Sequence, residues 1–181
     1  MIYVLAYPEF EPNSARQINH FRSRHEPERA KLVPPHVTLV FGLKDRNPRD
    51  ILTLCERVVE NARRLTIEFT SSELAYDPFE HRHKLLLLCG KGGDALISLH
   101  NQIYDGLHRI ELKPGIVYRP HMTVATHVDR AIIERLEVVE VGTFPISATI
   151  NSLEMVELAH GNLNNLASIP FGGSVPYTNH N

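Results

Sequence analysis

The chain has 181 residues, with 19 Lys or Arg against 21 Asp or Glu, and its formal net charge is −2. This balance argues against a protein that coats long DNA or RNA, because such proteins carry an excess of Lys and Arg. The composition, 43 % hydrophobic and 22 % charged, is that of a folded globular protein and not of a disordered chain. Eleven histidines make acid–base pairs and metal sites worth searching for, because histidine changes charge near neutral pH.

Two cysteines and the N-terminal segment bear on the cellular setting. Cys55 and Cys89 lie in apolar segments, without the spacing of a zinc site or a disulfide framework, so we interpret both as buried thiols. The N-terminal MIYVLAYPEF lacks the basic region of a signal peptide, and no stretch reaches the roughly 18 apolar residues that span a bilayer. We therefore expect a cytoplasmic protein that has no membrane partner. We also expect a monomer.

The first elements predicted along the chain are a strand, a helix and a loop. Residues 2–7 (IYVLAY) predict the strand. Asn13 or Ser14 is expected to cap a helix over 15–25, because either side chain can accept hydrogen bonds from the free N–H groups of a first turn. Segment 25–35 is rich in charge and proline, which favours a loop that enters the next element in an extended conformation.

A strand, the clearest helix and two further strands follow. Residues 36–41 (HVTLVF) predict the strand. Asn47 and Pro48 predict the start of the helix, because Asn is a good N-cap and the missing N–H of proline costs nothing in a first turn. The apolar stripe of this helix consists of Ile51, Leu52, Leu54, Cys55, Val58, Val59 and Ala62. Residues 65–76 and 84–90 predict the next two strands.

The second half of the chain continues this alternation. An amphipathic helix is predicted over about 94–108, and His100 lies on its apolar face, which favours a buried structural histidine. The same face carries Leu96, Leu99, Ile103 and Leu107. HMTVATH at 121–127 predicts a strand, and a short helix over 129–137 follows it. Three more strands are predicted between residues 143 and 173, before a polar tail.

The order of these elements contains an internal repeat. Two His-x-Thr-hydrophobic elements stand 85 positions apart, at 36–39 and 121–124, and each is followed by a helix and two or three strands. The repeat predicts an α+β fold with two pseudo-symmetric antiparallel-sheet lobes, helices outside and a central cleft. We assign residues 1–181 to a single domain made of these two lobes.

Both motif strands carry polar side chains where a sheet face would normally be apolar. Side chains alternate between the faces of a strand, so each histidine, its threonine and the residue two positions further are expected to share one face. The two sets are His36, Thr38 and Val40, and His121, Thr123 and Ala125. Two imidazoles and two hydroxyls would then project together into one site.

This set of side chains suits the cleavage of a phosphodiester. In-line displacement needs a base for the attacking oxygen and an acid for the leaving oxygen, and two histidines can hold both protonation states near neutral pH. Threonine hydroxyls can donate hydrogen bonds to the non-bridging phosphate oxygens. The chemistry needs no metal, and the sequence predicts no cofactor.

The residues around the two histidines resemble a known family. PPHVTLVFG at 34–42 and YRPHMTVATH at 118–127 are similar to the two signature motifs of the two-histidine (2H) phosphoesterase superfamily. That group includes 2′-5′ RNA ligase-like proteins and cyclic nucleotide phosphodiesterases. The separation of the motifs is typical of the family, and the resemblance covers most of the chain.

The resemblance implies a bilobal, duplicated α+β fold with His36, Thr38, His121 and Thr123 in the central cleft. The histidines would be the catalytic acid and base, and the threonines would bind the phosphate. The implied activity is metal-independent hydrolysis or transfer at 2′,3′-cyclic phosphate or 2′-5′ phosphodiester linkages of nucleotides or RNA ends. Many relatives carry an Arg shortly after the second motif, where this chain has residues 125–127 (ATH), so the resemblance assigns no cation to the phosphate.

Other polar residues near the motifs are accessory candidates. His127 would share a strand face with His121 if the strand is regular, and Lys44 and Arg46 closely follow the first motif. Residues 16–49 hold eight basic and three acidic residues. A basic surface beside the first motif suits an anionic ligand.

Two alternatives stay open beside the enzyme. One is a nucleotide or RNA-end binding module that uses the same cleft without turnover. The other is a metal site made of His36, His121 and His127, which the sequence disfavours because it supplies no carboxylate partners for such a site. The sequence therefore favours an enzyme without a metal, whose partner is a nucleotide cyclic phosphate or an RNA terminus.

Overall fold

A computed structural model of the chain describes residues 1–44, 47–105, 112 and 117–172. Strands and helices alternate along these ranges, as expected for an α+β protein. The elements are β1 (Ile2–Ala6), β2 (Glu9–Phe10), α1 (Pro12–His25), α2 (Pro27–Leu32), β3 (Val37–Leu43), α3 (Pro48–Val59), β4 (Leu65–Asp77), β5 (Arg82–Cys89), α4 (Gly93–Tyr104), β6 (His121–His127), α5 (Arg130–Glu134), a 3₁₀ turn (Val138–Val141), β7 (Ile146–Ile150), β8 (Ser152–Ala159) and β9 (Asn162–Pro170).

The strands form two antiparallel sheets, which confirms the predicted fold class. Sheet one has the strand order β3-β1-β8-β9, and sheet two has the order β2-β7-β4-β5-β6. Each sheet combines strands from both halves of the chain, an exchange that the sequence repeat does not indicate. Both motif strands, β3 and β6, are edge strands, and they contact each other across the two sheets.

The prediction for the segment between β1 and β3 was partly wrong. Helix α1 begins at Pro12, earlier than expected, and its N-cap is Glu11, which makes no side-chain capping bond, so neither Asn13 nor Ser14 caps it. The predicted loop at 25–35 contains helix α2, which starts with Pro27. Both helices place proline in the first turn, where its fixed φ favours helix and its missing N–H is not needed.

The other helices follow their sequence signals. The side chain of Asn47 accepts a hydrogen bond from the Arg49 N–H at 3.1 Å and caps α3, as predicted. The fully buried stripe of α3 consists of Ile51, Cys55 and Val59. Helix α4 buries His100 on its apolar face, in agreement with the structural interpretation of this residue. Its predicted Leu107 lies outside the described residues.

The larger of the two hydrophobic clusters among the described residues joins the inner faces of the sheets to the helices. It includes β-strand residues such as Val4 and Leu87, and helix residues such as Phe21 and Leu96. Cys55 is buried within it, and burial raises the pKa of this thiol to about 12. Among the described helices, none has the length and apolarity that crossing a membrane requires.

Candidate active site

The first motif contains a β-bulge directly after its threonine. Thr38 pairs with Leu5 of β1, and Val40 pairs with Val4, so Leu39 is an extra residue on β3. Because Leu5 and Val4 are consecutive, they point to opposite faces, and Thr38 and Val40 must do the same. The bulge therefore turns Val40 into the core while Thr38 stays on the other face.

The second motif contains the same bulge at the equivalent position. Thr123 pairs with Leu86 of β5, and Ala125 pairs with Leu85, so Val124 is the extra residue on β6. The prediction that the residue two positions after each threonine shares its face was therefore wrong in both motifs. Two consecutive apolar residues follow each threonine, and this was the one sequence signal of the bulges. Bulges are common beside active sites, because they re-aim side chains.

The bulges define one polar face on each sheet, which we call the motif face. On sheet one it carries Thr38 of β3 and Tyr3 and Leu5 of β1. On sheet two it carries the side chains of His121, Thr123 and Thr126 of β6 together with Lys84, Leu86 and Leu88 of β5. His36 lies one residue before β3, in register with the Thr38 side of the strand.

His36 and His121 make the same hydrogen bond to the backbone. Nδ1 of His36 lies 2.8 Å from the carbonyl oxygen of Pro34, and Nδ1 of His121 lies 2.7 Å from that of Arg119. A carbonyl oxygen can only accept, so each Nδ1 carries the proton and donates it. Each neutral ring therefore has its lone pair on Nε2, where it can accept a proton.

Both imidazoles are held in the neutral form more strongly than in water. The pKa of His36 is lowered to about 4, mainly because the ring is desolvated, with smaller contributions from the charges of Arg22, Arg29 and His121. The hydrogen bond to the Pro34 carbonyl opposes this shift. Desolvation also lowers the pKa of His121. Because a charge on His121 acts on the pKa of His36, the two rings belong to one electrostatic site.

Two aromatic side chains hold the bulged edge of β3. The Tyr118 hydroxyl donates to the carbonyl oxygen of Thr38 at 3.0 Å, and His100 Nδ1 donates to the carbonyl oxygen of Leu39 at 2.7 Å. The rings of Tyr118 and His100 stack, with centroids 3.8 Å apart and planes 8° from parallel. Tyr118 belongs to the second motif segment, so it joins that segment directly to the first motif strand.

A buried ion pair lies behind the first histidine. Arg22 of α1 is 1 % exposed, and its Nε donates to Glu26 Oε1 at 2.5 Å while its Nη2 donates to the Val33 carbonyl oxygen at 3.1 Å. The second carboxylate oxygen of Glu26 accepts from the Thr126 hydroxyl at 3.3 Å. The sequence did not reveal this pair, because an i,i+4 Arg–Glu spacing is usually a solvated helix contact.

A second ionic cluster lies beside the motif face of sheet two. Arg29 Nη2 donates to both carboxylate oxygens of Glu80, at 2.8 and 2.7 Å. Lys84 Nζ lies 2.9 Å from Glu80 and 2.6 Å from Asp77. Lys84 pairs across the strands with Thr126, so it occupies the motif face close to Thr123. Arg29 lay within the basic segment recognised in the sequence, but no signal linked it to Lys84.

The accessory candidates are not gathered at this site. His127 was expected to share a face with His121 if the strand was regular, but β6 contains a bulge, and His127 pairs with His83 on the face opposite His121. His36, His121 and His127 therefore do not converge as a metal site would require. Within the described residues, no group of three or more potential ligands is placed to hold a metal ion. Lys44 is exposed beyond the end of β3, and Arg46 lies outside the described residues.

Comparisons with solved structures show the same fold in several proteins. E. coli LigT in complex with 3′-AMP has 17 % sequence identity and a TM-score of 0.57, and the match covers 95 % of this chain and 98 % of that one. E. coli LigT in complex with NADP+ matches at 18 % identity and a TM-score of 0.55, over 95 % and 98 % of the two chains. Kluyveromyces marxianus Usb1 matches at 10 % identity and a TM-score of 0.56, over 94 % and 98 %.

Sequence comparisons identify the family. A search of curated proteins gives no match. The family model of the 2′-5′ RNA ligase superfamily matches residues 10–162, a range that contains both His-x-Thr motifs. This agrees with the two-histidine phosphoesterase resemblance of the motifs and with the shared fold. The chain therefore belongs to the 2′-5′ RNA ligase superfamily.

Proposed function

We propose that the protein is a metal-independent phosphoesterase that cleaves 2′,3′-cyclic phosphate or 2′-5′ phosphodiester linkages of nucleotides or RNA ends. The observation that carries this proposal is the matched pair of histidines. His36 and His121 both anchor Nδ1 on a backbone carbonyl, and both precede a threonine at a bulge. His36 lies one residue before β3 and His121 begins β6, and these two edge strands contact each other. Paired general acids and bases need this kind of fixed tautomer and orientation.

The two histidines would act on opposite sides of the phosphorus. Nε2 of His36 accepts the proton of a water molecule as its oxygen attacks phosphorus, and the bond to the leaving ribose oxygen breaks. Nε2 of His121, protonated at the start, gives its proton to that oxygen. We assign the base to His36 because the lower pKa keeps its ring unprotonated over a wider pH range. The hydroxyls of Thr38 and Thr123 would donate to the non-bridging oxygens, where negative charge develops.

The ligands of structural relatives support a nucleotide as substrate. E. coli LigT is described in complexes with 3′-AMP and with NADP+, and its fold matches this chain over almost its full length. A nucleoside 2′- or 3′-monophosphate is the product that cleavage of a 2′,3′-cyclic phosphate would leave. This chemistry makes 2′,3′-cyclic mononucleotides the first substrates to test.

A substrate panel tests the proposal. The purified protein is incubated in excess EDTA with 2′,3′-cyclic mononucleotides, 2′-5′-linked and 3′-5′-linked dinucleotides and RNA with a cyclic phosphate end, and products are followed by ³¹P NMR. We expect turnover of the cyclic or 2′-5′ substrates and none of the 3′-5′ dinucleotide. Activity that EDTA removes and a metal restores contradicts the acid–base mechanism. Tight binding without turnover across the whole panel identifies the protein as a binding module.

The pH dependence should lie on the acidic side of neutrality. In the free protein His36 must be unprotonated, which requires a pH above about 4, and His121 must be protonated, which requires a pH below its lowered pKa. We therefore expect a bell-shaped profile of kcat/KM with its maximum between about 4 and the ordinary histidine pKa of roughly 6.5. A bound phosphate favours both protonated rings, so the limbs of the kcat profile should shift to higher pH. A kcat/KM maximum above pH 7 would contradict this assignment.

A further inference from the structure

The carboxylate of Glu80 is held by two cations from different parts of the chain. Arg29, in α2, donates to both of its oxygens, and Lys84, in β5, approaches one of them within 2.9 Å. A guanidinium nitrogen in contact with two anionic oxygens, with a lysine ammonium beside it, can bind a phosphate group in the same way. The Glu80 carboxylate thus occupies a position between Arg29 and Lys84 where another anion could bind.

This anion site shares the motif face of sheet two with His121, and its charges act on both histidines. Lys84 lies on the motif face of sheet two, across the strands from Thr126, and its charge acts on the pKa of His121. The charge of Arg29 acts on the pKa of His36. Tyr3, on the motif face of sheet one, has its pKa raised by desolvation and by Glu80 and lowered by Arg29. The cluster is therefore close to both motif faces.

Glu80 is the member of this cluster that can leave. It lies in the short connection between β4 and β5, and its side chain is 41 % exposed, whereas that of Lys84 is 11 % exposed. Lys84 is also fixed by Asp77 at 2.6 Å, and Arg29 lies 3.8 Å from Glu26, so both cations keep a partner when Glu80 moves away. Movement of one exposed side chain would open the site.

We propose that Arg29 and Lys84 form a second anion site, which binds a phosphate group of the substrate other than the one that is attacked. The Glu80 carboxylate contacts both cations and competes with an incoming phosphate. The nucleotide nature of the ligand rests on the proposed function, whereas the anion site itself rests on the cluster. The protein thereby favours substrates that carry a second phosphate, such as a 5′-phosphate, over substrates that carry only the phosphate that is attacked.

Two ligands that differ by one phosphate test the proposal. Isothermal titration gives the dissociation constants of adenosine 3′-monophosphate and adenosine 3′,5′-bisphosphate, and the measured quantity is their ratio. Glu80→Gln removes the competing charge, and we expect it to raise the preference for the bisphosphate about fivefold. Arg29→Gln should lower this preference by about tenfold, because a charge-assisted contact to phosphate is lost. Lys84→Gln should lower the preference for the bisphosphate, as Arg29→Gln does. Lys84→Arg keeps the positive charge and should retain the preference.

The matched control is Glu68→Gln. Glu68 lies on β4 and pairs with Lys91 at 2.9 Å, so the substitution changes the net charge by the same amount away from the cluster. It should leave the ratio unchanged. The proposal is overturned if Glu80→Gln leaves the ratio of the dissociation constants within twofold of the parent value. It is also overturned if Glu68→Gln raises this ratio as much as Glu80→Gln does.

Inorganic pyrophosphate separates this proposal from the proposed function. If Glu80→Gln strengthens the binding of pyrophosphate and Arg29→Gln weakens it, the anion site is supported. This holds even if neither nucleotide binds, in which case only the proposed nucleotide function fails. In the opposite outcome, the protein turns over cyclic nucleotides, but none of these variants changes its preference for the bisphosphate. That result retains the proposed function and refutes the second anion site.

Discussion

His36→Ala and His121→Ala are each expected to lower kcat for phosphodiester cleavage by about 10²–10⁴-fold, because each removes one partner of the proposed acid–base pair. Both rings are anchored through Nδ1, at 2.8 and 2.7 Å from a carbonyl oxygen, so alanine removes an already oriented Nε2. The rates are measured on the best substrate of the panel, at the pH optimum of the parent protein. Binding of the product nucleotide should change much less than kcat, because the threonines and the cations remain.

Two further variants make this result specific. His20→Ala changes an exposed histidine of α1 and should leave the rate unchanged, which controls for the loss of an imidazole as such. The double variant His36→Ala, His121→Ala should be little slower than the poorer single variant, because residues that act as a unit are strongly non-additive. A folded single variant that retains near-parent kcat shows that its histidine is not part of the pair.

The pH profiles of the single variants test which histidine has which role. Loss of the base removes the acidic limb of the kcat/KM profile, and loss of the acid removes the alkaline limb. We therefore expect His36→Ala to flatten the profile on the acidic side and His121→Ala to flatten it on the alkaline side. The opposite pattern would exchange the roles while keeping the pair.

The motif residues could be found from the sequence because they repeat. A single His-x-Thr is a weak signal, but two copies in matched contexts single out His36 and His121, and alternation along a strand then explains why each threonine shares a face with its histidine. The same rule failed one step later, at Val40 and Ala125. A bulge inserts one extra residue into a strand, which reverses the faces of the residues that follow. Only the register with the neighbouring strand reveals it.

The supporting residues could not be found from the sequence, because their partners are distant along the chain. Glu80 and Lys84 are four residues apart, but Arg29 reaches them only because the strand order brings α2 beside the β4–β5 connection. Tyr118 likewise bonds to Thr38 through an edge contact that joins strands of different sheets. Such contacts depend on how the two sheets and their helices pack against each other, which the repeat does not contain.

Arg22→Ala is expected to lower the free energy of unfolding by about 3–5 kcal/mol, because it removes the hydrogen-bonded counter-charge of a buried carboxylate and leaves Arg29, 3.8 Å away, as the remaining cation. Arg22 and Glu26 both have side chains that are 1 % exposed, and their atoms lie 2.5 Å apart. The measurement is urea unfolding followed by circular dichroism. Arg24→Ala is the matched control, since Arg24 lies on the same helix, pairs with Glu140 and is 44 % exposed, and it should cost less than about 1 kcal/mol. Equal costs for the two variants would contradict the buried-pair account.

The pH dependence of this deficit identifies Glu26 as its cause. Desolvation already raises the pKa of Glu26 above its ordinary value, although Arg22 and Arg29 oppose the shift, and removing Arg22 raises it further. A carboxyl whose pKa is raised in the folded state binds more protons folded than unfolded, so its contribution to stability falls as the pH rises from its ordinary pKa upward. The difference between Arg22→Ala and the parent should therefore be smaller at pH 5 than at pH 8. When Glu26→Gln is present in both the parent and the Arg22→Ala background, the difference between the two should no longer depend on pH in this way.

The same pair should connect stability to activity. Arg22 also bonds to the Val33 carbonyl oxygen, one residue before Pro34, whose own carbonyl orients His36. In Arg22→Ala, measured at a temperature where the variant is folded, we therefore expect a lower kcat. We also expect the acidic limb of the pH–rate profile to move to higher pH, because the Arg22 charge helps to lower the pKa of His36. Arg24→Ala should change neither quantity. An Arg22→Ala variant with parent kcat and an unchanged pH profile would restrict Arg22 to stabilising the fold.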